Sequence, residues 1–251
     1  MVRVIAASCL LLACAAPLAA EKGSNDMAPP AGFVHLADVA PDIVQDMRYA
    51  TAHNFTGAVV PGYEAGTCIL SEPAAKALAA AQAAVRAQGY TLIVWECYRP
   101  VTAVQAFVAW AKGPDESAKA EFYPRVPKDE LFERGYIASR SRHSLGSTVD
   151  VGLAPLGLRA APPFAAGSQQ VDCTAPYGER FLDGTVDLGT GYDCFDDKAH
   201  TDADVSPAAA TNRAILGAAM IAAGFAPYRE EWWHFSLKDE PFDTPFDFPV
   251  R

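Results

Sequence analysis

The sequence lacks several features that mark common classes of protein. Lys and Arg total 20 against 30 Asp and Glu, which gives a formal net charge of −10, and no run of basic residues occurs. Because nucleic-acid phosphates are bound by clustered Lys and Arg, no nucleic acid is expected as a partner. The sequence also has no C-x-x-C pair, no internal repeat and no long linker. The 251 residues therefore predict one domain with a substantial core.

The first twenty residues differ from the rest of the chain and are typical of a secretory signal peptide. Arg3 is followed by an apolar run and then by small residues that end at Ala20. The run is too short to span a bilayer, and Glu21 and Lys22 close it. A buried first helix is the alternative, but no amphipathic period supports it. We expect an exported protein of the periplasm or cell envelope, with no transmembrane segment in its mature chain.

A lipid anchor is a second interpretation of the leader. Residues 11–14 (LLAC) resemble a lipoprotein cleavage box, which would leave Cys14 as a lipidated first residue. Leu12 fits that box imperfectly, and simple release of the mature chain is the alternative. Residues 21–32 contain two adjacent prolines and are expected to form a flexible entry segment. The folded domain is then expected at residues 33–251.

Two of the six cysteines lie in the leader, so its removal would leave an even number, which suits an oxidising compartment. Four cysteines allow three pairings, and the sequence does not choose among them. Our prediction pairs Cys68 with Cys97 and Cys173 with Cys194. A thiolate metal site and buried free thiols are the alternatives; the absence of a C-x-x-C pair argues against the first.

Patterns of helix and strand follow one another along the mature chain. Ser71 is typical of an N-cap and predicts a helix over residues 72–88, which Gly89 ends. The apolar run at 90–96 predicts a buried strand, and a helix is expected at 101–112.

The second half of the chain is predicted to alternate between irregular and regular segments. A polar loop is expected at residues 139–146 and a strand at 147–153. A long irregular excursion is expected at 157–201, followed by a helix at 207–223 and a last strand at 232–237. Alternation along the first of these strands directs Val149 and Val151 to the core and Asp150 to the other face. The excursion carries Cys173 and Cys194, and loops of such length are usually functional or pinned.

Two short motifs carry residues suited to metal chemistry. His143 and Asp150 form an H-x-x-G-x-x-x-D pattern, and Glu231 and His234 form an E-x-x-H pattern. Two imidazoles and one carboxylate are a typical ligand set for catalytic zinc, which keeps a fourth position for water. Each pattern alone is weak, and a hydrogen-bonded structural histidine is the alternative for each. Together with YRP at 98–100 the motifs become specific.

These motifs resemble those of one known family. WECYRP (95–100), SRHSLGSTVD (141–150) and EEWWHF (230–235) are similar to the three blocks of the D-alanyl-D-alanine dipeptidases. RYATAHNFTG (48–57) and the ending DEPFDTPFDFPV (239–250) resemble that family too, so the resemblance covers essentially the whole mature chain. It implies an α+β domain with a central antiparallel sheet flanked by helices, one Zn²⁺ ion at the sheet edge, and hydrolysis of the dipeptide D-Ala-D-Ala.

The resemblance also implies roles for individual residues. His143, Asp150 and His234 match the metal ligands. Glu231 matches the catalytic base, and Arg99 matches the residue that stabilises the transition state. Tyr49 and Asp193 match positions near the substrate amine. Tyr63 and Ser141 match positions near the substrate carboxylate. Because Glu231 and His234 would face opposite ways in a regular strand, Glu231 is expected on a turn just before it.

The sequence departs from the family at three positions. Glu96 stands where the family example has Asp, Cys97 replaces a glycine, and Arg142 replaces a serine beside the first ligand. These changes concern the fit of the substrate rather than zinc binding. The tryptophans that flank the motifs are expected to pack in the core, with a wall of the substrate pocket as the alternative: Trp95, Trp232 and Trp233.

Two other functions fit the same motifs. One is a carboxypeptidase or endopeptidase that trims peptidoglycan peptides, which would need an open cleft. The other is a non-catalytic zinc-bearing binding protein, against which the presence of both Glu231 and Arg99 argues. The long excursion at 157–201 could open or close the site and leaves the first alternative standing.

Overall fold

A computed structural model describes residues 1–2, 29–165, 167 and 169–251. Nearly all of the predicted signal peptide, including Cys14, and residues 21–28 of the entry segment lie outside the described residues. The strands are β1 (Phe33–His35), β2 (Val44–Gln45), β3 (Ile69–Ser71), β4 (Tyr90–Glu96), β5 (Thr148–Pro155), β6 (Phe225–Pro227) and β7 (His234–Leu237). The α-helices are α1 (Leu36–Val39), α2 (Glu72–Arg86), α3 (Val101–Lys112), α4 (Lys119–Phe122) and α5 (Pro207–Ala222).

Five strands form the central sheet in the order β2-β4-β5-β7-β6. The β2–β4 pair is parallel, and the other neighbours are antiparallel. β1 and β3 form a separate antiparallel pair. Helices α2 and α5 pack against each other and against this sheet. The predicted α+β domain with helices beside an antiparallel sheet is confirmed, with one parallel pair added at the edge.

The predicted helices agree closely with the structure, because caps and breakers bound them. The Ser71 hydroxyl accepts a hydrogen bond from the Ala74 backbone N–H and begins α2 as an N-cap. The last strand begins two residues later than predicted, because the Trp232 backbone N–H bonds to the carbonyl of Ala199 outside the sheet. The strands of two or three residues escaped prediction, since they are too short to show a period.

Both predicted disulfides are present, so the alternatives of free thiols and of a thiolate metal site are wrong for these four cysteines. Cys68 and Cys97 join the residue before β3 to the residue after β4. Cys173 and Cys194 join two points of the predicted excursion, whose described residues contain one short 3-10 helix, Asp197–Ala199. This disulfide therefore links two parts of the excursion to each other covalently.

The larger core lies between the sheet and helices α2 and α5 and contains the three tryptophans that flank the motifs. Trp95, Trp232 and Trp233 are buried, which confirms packing as their main role. Within the described part of the chain, none of the helices is long and apolar enough to cross a membrane.

The last residues of the chain pack over the loop before β5 and the turn after β4. The Phe246 backbone N–H donates to the Ser144 carbonyl over 2.8 Å, and the Val101 N–H donates to the Phe246 carbonyl over 3.2 Å. The Phe248 ring stacks on Tyr98 with centroids 4.1 Å apart. This C-terminal tail (residues 239–250) holds two segments that carry residues of the candidate site.

Candidate active site

Three neighbouring strands place polar side chains in one row. Asp150 on β5 lies opposite Glu96 at the end of β4 and opposite His234 at the start of β7. Side chains directly opposite each other on paired strands project from the same face. A β-bulge between Val94 and Glu96 creates this row, because it moves Trp95 out of register and places Glu96 opposite Asp150.

His143 reaches the row from a short 3-10 helix, Arg142–Leu145, that precedes β5. The Ser141 hydroxyl caps this helix by accepting a hydrogen bond from the His143 backbone N–H over 3.3 Å. Gly146 ends the helix with φ 92°, and a Cβ there would lie 2.2 Å from the ring of Phe33. The glycine of H-x-x-G is therefore required both by left-handed backbone and by close packing.

Three candidate ligand atoms form a nearly equilateral triangle. Asp150 Oδ1 lies 3.3 Å from His143 Nε2 and 3.2 Å from His234 Nδ1, and the two nitrogens are 3.3 Å apart. Ligand atoms about 2.0 Å from a tetrahedral ion are about 3.3 Å apart. Asp150 Oδ1 is also buried without a hydrogen-bond partner. The three residues fit one zinc-sized cation.

Polar partners orient two of these ligands from behind. The Nδ1 atom of His143 lies 2.8 Å from the carbonyl of Cys97, which can only accept, so Nδ1 carries the proton and Nε2 keeps a lone pair for a cation. The Tyr192 hydroxyl donates to Asp150 Oδ2 over 3.0 Å, which leaves Oδ1 free to bind. Such partners fix the orientation of metal ligands and tune their affinity.

Glu231 lies on a turn just before β7, as expected. The His234 backbone N–H donates to the Glu231 carbonyl over 3.2 Å, and Glu231 Oε2 lies 3.4 Å from His234 Nδ1. The side chain borders the ligand triangle and faces the same cavity. Burial raises the pKa of Glu231 well above its ordinary value, and the negative charges of Asp150 and Asp193 raise it further. A proton-binding carboxyl group thus lies beside the candidate cation site.

Arg99 lines the cavity and is held by a buried carboxylate. Its Nε donates to Glu96 Oε1 over 2.7 Å, and its Nη2 donates to Oε2 of the same residue. Burial acts to lower the pKa of Arg99, but the charge of Glu96 holds it well above its ordinary value. The Tyr63 hydroxyl also donates to Glu96, and Tyr63 does not line the cavity. Tyr63 therefore contacts the same carboxylate that holds Arg99.

Tyr49 and Asp193 form a pair on the cavity wall. The Tyr49 hydroxyl donates to Asp193 Oδ2 over 2.6 Å, and both side chains are buried. Asp193 has φ 56°, a left-handed conformation that Asp tolerates better than most residues. Burial raises the pKa of Asp193 to about 8, although the hydrogen bond from Tyr49 acts in the opposite direction. A buried carboxylate in this position is suited to binding a cationic group.

The candidate residues, apart from Tyr63, meet in one cavity of about 260 Å³. Its lining includes Tyr49, Arg99, Ser141, His143, Asp150, Asp193, Glu231 and His234. The volume lies below the roughly 300–1,000 Å³ of sites for drug-sized ligands, so the cavity suits a small molecule. Several other lining residues belong to no metal motif and carry no local signal by which they could have been found: Phe107, Tyr136, Arg140, Phe195 and Tyr228.

Comparisons with known proteins agree with this geometry. A family model described as D-ala-D-ala dipeptidase (Peptidase M15) matches residues 30–160 and 158–251. The chain is 38% identical over 222 residues to a D-alanyl-D-alanine dipeptidase of Enterococcus faecalis, covering 87% of this chain and 98% of that protein. It is 38% identical over 221 residues to a D-alanyl-D-alanine dipeptidase of Streptomyces coelicolor, covering 87% of this chain and 98% of that protein. It is 35% identical over 223 residues to a D-alanyl-D-alanine dipeptidase of Enterococcus faecium, covering 88% of this chain and 98% of that protein.

Proposed function

The chain belongs to the D-Ala-D-Ala dipeptidase family of zinc metallopeptidases, and from this premise we propose that it hydrolyses the free dipeptide D-Ala-D-Ala to two molecules of D-alanine. The observation that carries the proposal is the composition of the cavity. Within about 260 Å³ it combines a triangle of metal-ligand atoms, a cation at Arg99 and a buried carboxylate at Asp193. Such a site can bind both ends of a small zwitterion and act on the bond between them.

His143, Asp150 and His234 would hold one Zn²⁺ ion. Two imidazole nitrogens and one carboxylate oxygen are a donor set typical of catalytic zinc, and the spacing of the atoms supports this choice. When bound, zinc would act as a Lewis acid that polarises the scissile carbonyl group and lowers the pKa of a water molecule.

The remaining steps fall to side chains of this protein. Glu231 would accept a proton from the attacking water and pass it to the nitrogen of the leaving D-alanine as the carbon–nitrogen bond breaks. Its position next to His234 and on the border of the cavity supports this role. Arg99, a permanent cation fixed by Glu96, would stabilise the negative charge that develops on the carbonyl oxygen.

Recognition of the two substrate ends would use different residues of the cavity lining. Asp193, with Tyr49 beside it, would bind the substrate ammonium group, because a buried carboxylate without a cation is costly. Ser141 would contribute to binding the substrate carboxylate. Tyr63 would act on this reaction indirectly, through Glu96 and Arg99. Because a substrate with a blocked amine would leave the Asp193 carboxylate buried without a cation, such a substrate should be rejected strongly rather than mildly.

We also propose that the protein is exported to the periplasm or cell envelope, either released or anchored through Cys14. Two disulfides support an oxidising compartment, since such bonds are rare in the cytosol.

Purified mature protein should be assayed against D-Ala-D-Ala, its N-acetylated form and a wall pentapeptide that ends in D-Ala-D-Ala. We expect cleavage of the free dipeptide, with kcat/KM at least about a hundredfold lower for the other two, equivalent to about 2.7 kcal/mol of transition-state binding. Release of D-alanine from the pentapeptide as fast as from the dipeptide would identify a carboxypeptidase instead. Zinc binding without cleavage of any of the three would favour a binding protein.

A further inference from the structure

Each disulfide ends at a residue that adjoins the active site in the sequence. Cys97 directly follows Glu96, and Cys194 directly follows Asp193. Both residues are buried, and neither lines the cavity. Both lie outside the strands of the central sheet, so no strand pairing fixes their backbone.

We propose that the two disulfides position different halves of the active site. Cys68–Cys97 would position the metal-binding half, and Cys173–Cys194 would position the half that binds the substrate amine. The second part rests on the function proposed above, whereas the first depends only on the ability to bind zinc.

The metal-binding half depends on the carbonyl group of Cys97. This oxygen accepts the hydrogen bond from His143 Nδ1 and so fixes the ring whose Nε2 faces the other two ligands. The Arg99 backbone N–H donates in turn to the His143 carbonyl over 3.3 Å. β4 ends at Glu96, so the peptide unit between Cys97 and Tyr98 has no partner in the central sheet; its N–H donates instead to the carbonyl of Ile69, the residue after Cys68, over 3.0 Å.

The sulfur of Cys68 ties Cys97 to a well-fixed part of the fold. The Cys68 backbone N–H donates to Gln45 Oε1 over 2.8 Å, and the Leu36 N–H donates to the Cys68 carbonyl over 2.9 Å. Cys68 is fully buried in the larger core. The Cys68–Cys97 disulfide therefore restrains the Cys97 carbonyl, which orients His143, by a covalent link to this core.

The amine-binding half depends on the backbone at Asp193. This residue keeps φ 56° within an irregular segment and presents its carboxylate to Tyr49. Cys194 ties the next residue to Cys173, and the Gly191 backbone N–H donates to the Cys173 carbonyl over 2.8 Å. Without the covalent bond, this segment could relax toward a more common backbone conformation and turn the carboxylate out of the cavity.

The two halves are separable because Tyr192 is held by other means. Its hydroxyl bonds to Asp150, and it lies only two residues before Cys194. Its ring stacks on Trp95 with centroids 4.7 Å apart and packs edge-on against Trp233. Loss of the Cys173–Cys194 bond should therefore leave Asp150, and with it the metal site, in place.

The test compares two double variants, Cys68→Ser/Cys97→Ser and Cys173→Ser/Cys194→Ser, each as the control for the other. Both are studied well below the unfolding midpoint of the less stable one. Zinc affinity is measured by competition with a chelator, and amine recognition as the ratio of kcat/KM for D-Ala-D-Ala over its N-acetylated form.

We expect the first variant to bind zinc about tenfold or more weakly while its substrate ratio stays that of the wild type. The second variant should keep the wild-type zinc affinity and lose about tenfold or more of the substrate ratio, mainly through KM. If both lose only thermal stability, or if both change in the same way, the proposal is wrong. Should a serine pair fail to fold, alanine pairs, which bury no new hydroxyl group, replace it.

A wild-type protein that binds zinc but does not cleave D-Ala-D-Ala would contradict the proposed function and the amine-binding half together. The zinc measurement on Cys68→Ser/Cys97→Ser would still decide the metal-binding half, since it needs no substrate.

Discussion

Asp150 and His234 lie directly opposite each other in the pairing of β5 with β7, with Oδ1 and Nδ1 3.2 Å apart. The strands that carry them are separated in sequence by the whole excursion and by α5. Backbone pairing therefore brings two of the three candidate ligands together. His143 completes the triangle from a capped loop.

The first prediction concerns the metal. Wild-type protein should hold about one zinc per chain, and His143→Ala or His234→Ala should lose both the metal and the activity, because a site with three protein ligands cannot spare an imidazole. Metal analysis after gel filtration checks the loading. His200→Ala is the control, since this side chain lies outside the cavity and pairs with Asp197. Full zinc occupancy in both ligand variants would reject the assignment.

The second prediction separates proton transfer from metal binding. Glu231→Gln should keep its zinc and its fold but lose about 10²- to 10⁴-fold in kcat, because an amide cannot accept the proton from water. Steady-state kinetics with zinc analysis on the same sample checks this. The adjacent Glu230→Gln is the matched control and should remain active. Near-normal turnover by Glu231→Gln would remove this residue from the mechanism.

The third prediction concerns the planar guanidinium of Arg99. Arg99→Lys keeps the charge but cannot form the two-pronged contact with Glu96, so the cation should be misplaced. We expect a loss of about 10²- to 10³-fold, mostly in kcat. Arg125→Lys serves as the control, since Arg125 also contacts carboxylates but is not part of the cavity lining. Equal effects in both variants would contradict a catalytic role for Arg99.

The fourth prediction concerns discrimination between free and blocked amines. Asp193→Asn keeps a side chain that tolerates φ 56° but removes the negative charge. Its preference for D-Ala-D-Ala over the N-acetylated form should shrink by about tenfold or more, chiefly through a higher KM for the free dipeptide, and Asp193→Ala should shrink it as well. Kinetics with both substrates, with Asp202→Asn as control, provide the measurement. An unchanged preference would place amine recognition elsewhere.

The fifth prediction concerns stability. Gly146→Ala should lower the free energy of unfolding by more than about 1 kcal/mol, because φ 92° disfavours a side chain and the new Cβ would meet Phe33. Gly217→Ala, in open space on α5, should be neutral or stabilising by up to about 1 kcal/mol. Denaturant unfolding of metal-free proteins compares the two, since bound metal would add its own stabilisation. Equal stability of the two variants would contradict this role for Gly146.

Local signals made much of the fold predictable. The N-cap at Ser71 and the stop at Gly89 bounded α2 to within two residues, and the apolar run gave β4 with its observed limits. These features depend on neighbouring residues, so a single sequence displays them. The motifs likewise predict that His143, Asp150 and His234 share one site, and the structure brings their ligand atoms together.

The surroundings of the site were less predictable because they depend on pairing between distant segments. The bulge at Trp95 decides that Glu96 joins the row of Asp150, and no local pattern marks a shift of register. Tyr63, which is expected near a substrate carboxylate, donates a hydrogen bond to Glu96, a contact between segments that no local pattern indicates. Tyr192 escapes prediction because its contact with Asp150 joins residues that are far apart in the sequence.

The C-terminal tail has a consequence for how the metal site is completed. Phe246 and Phe248 hold the segments that carry His143 and Arg99, and the Val250 backbone N–H donates to the Gly62 carbonyl over 2.8 Å. A chain whose tail is not yet packed therefore has its motifs but lacks the contacts that fix them. High affinity for metal should thus be a property of the fully folded domain rather than of its motif segments.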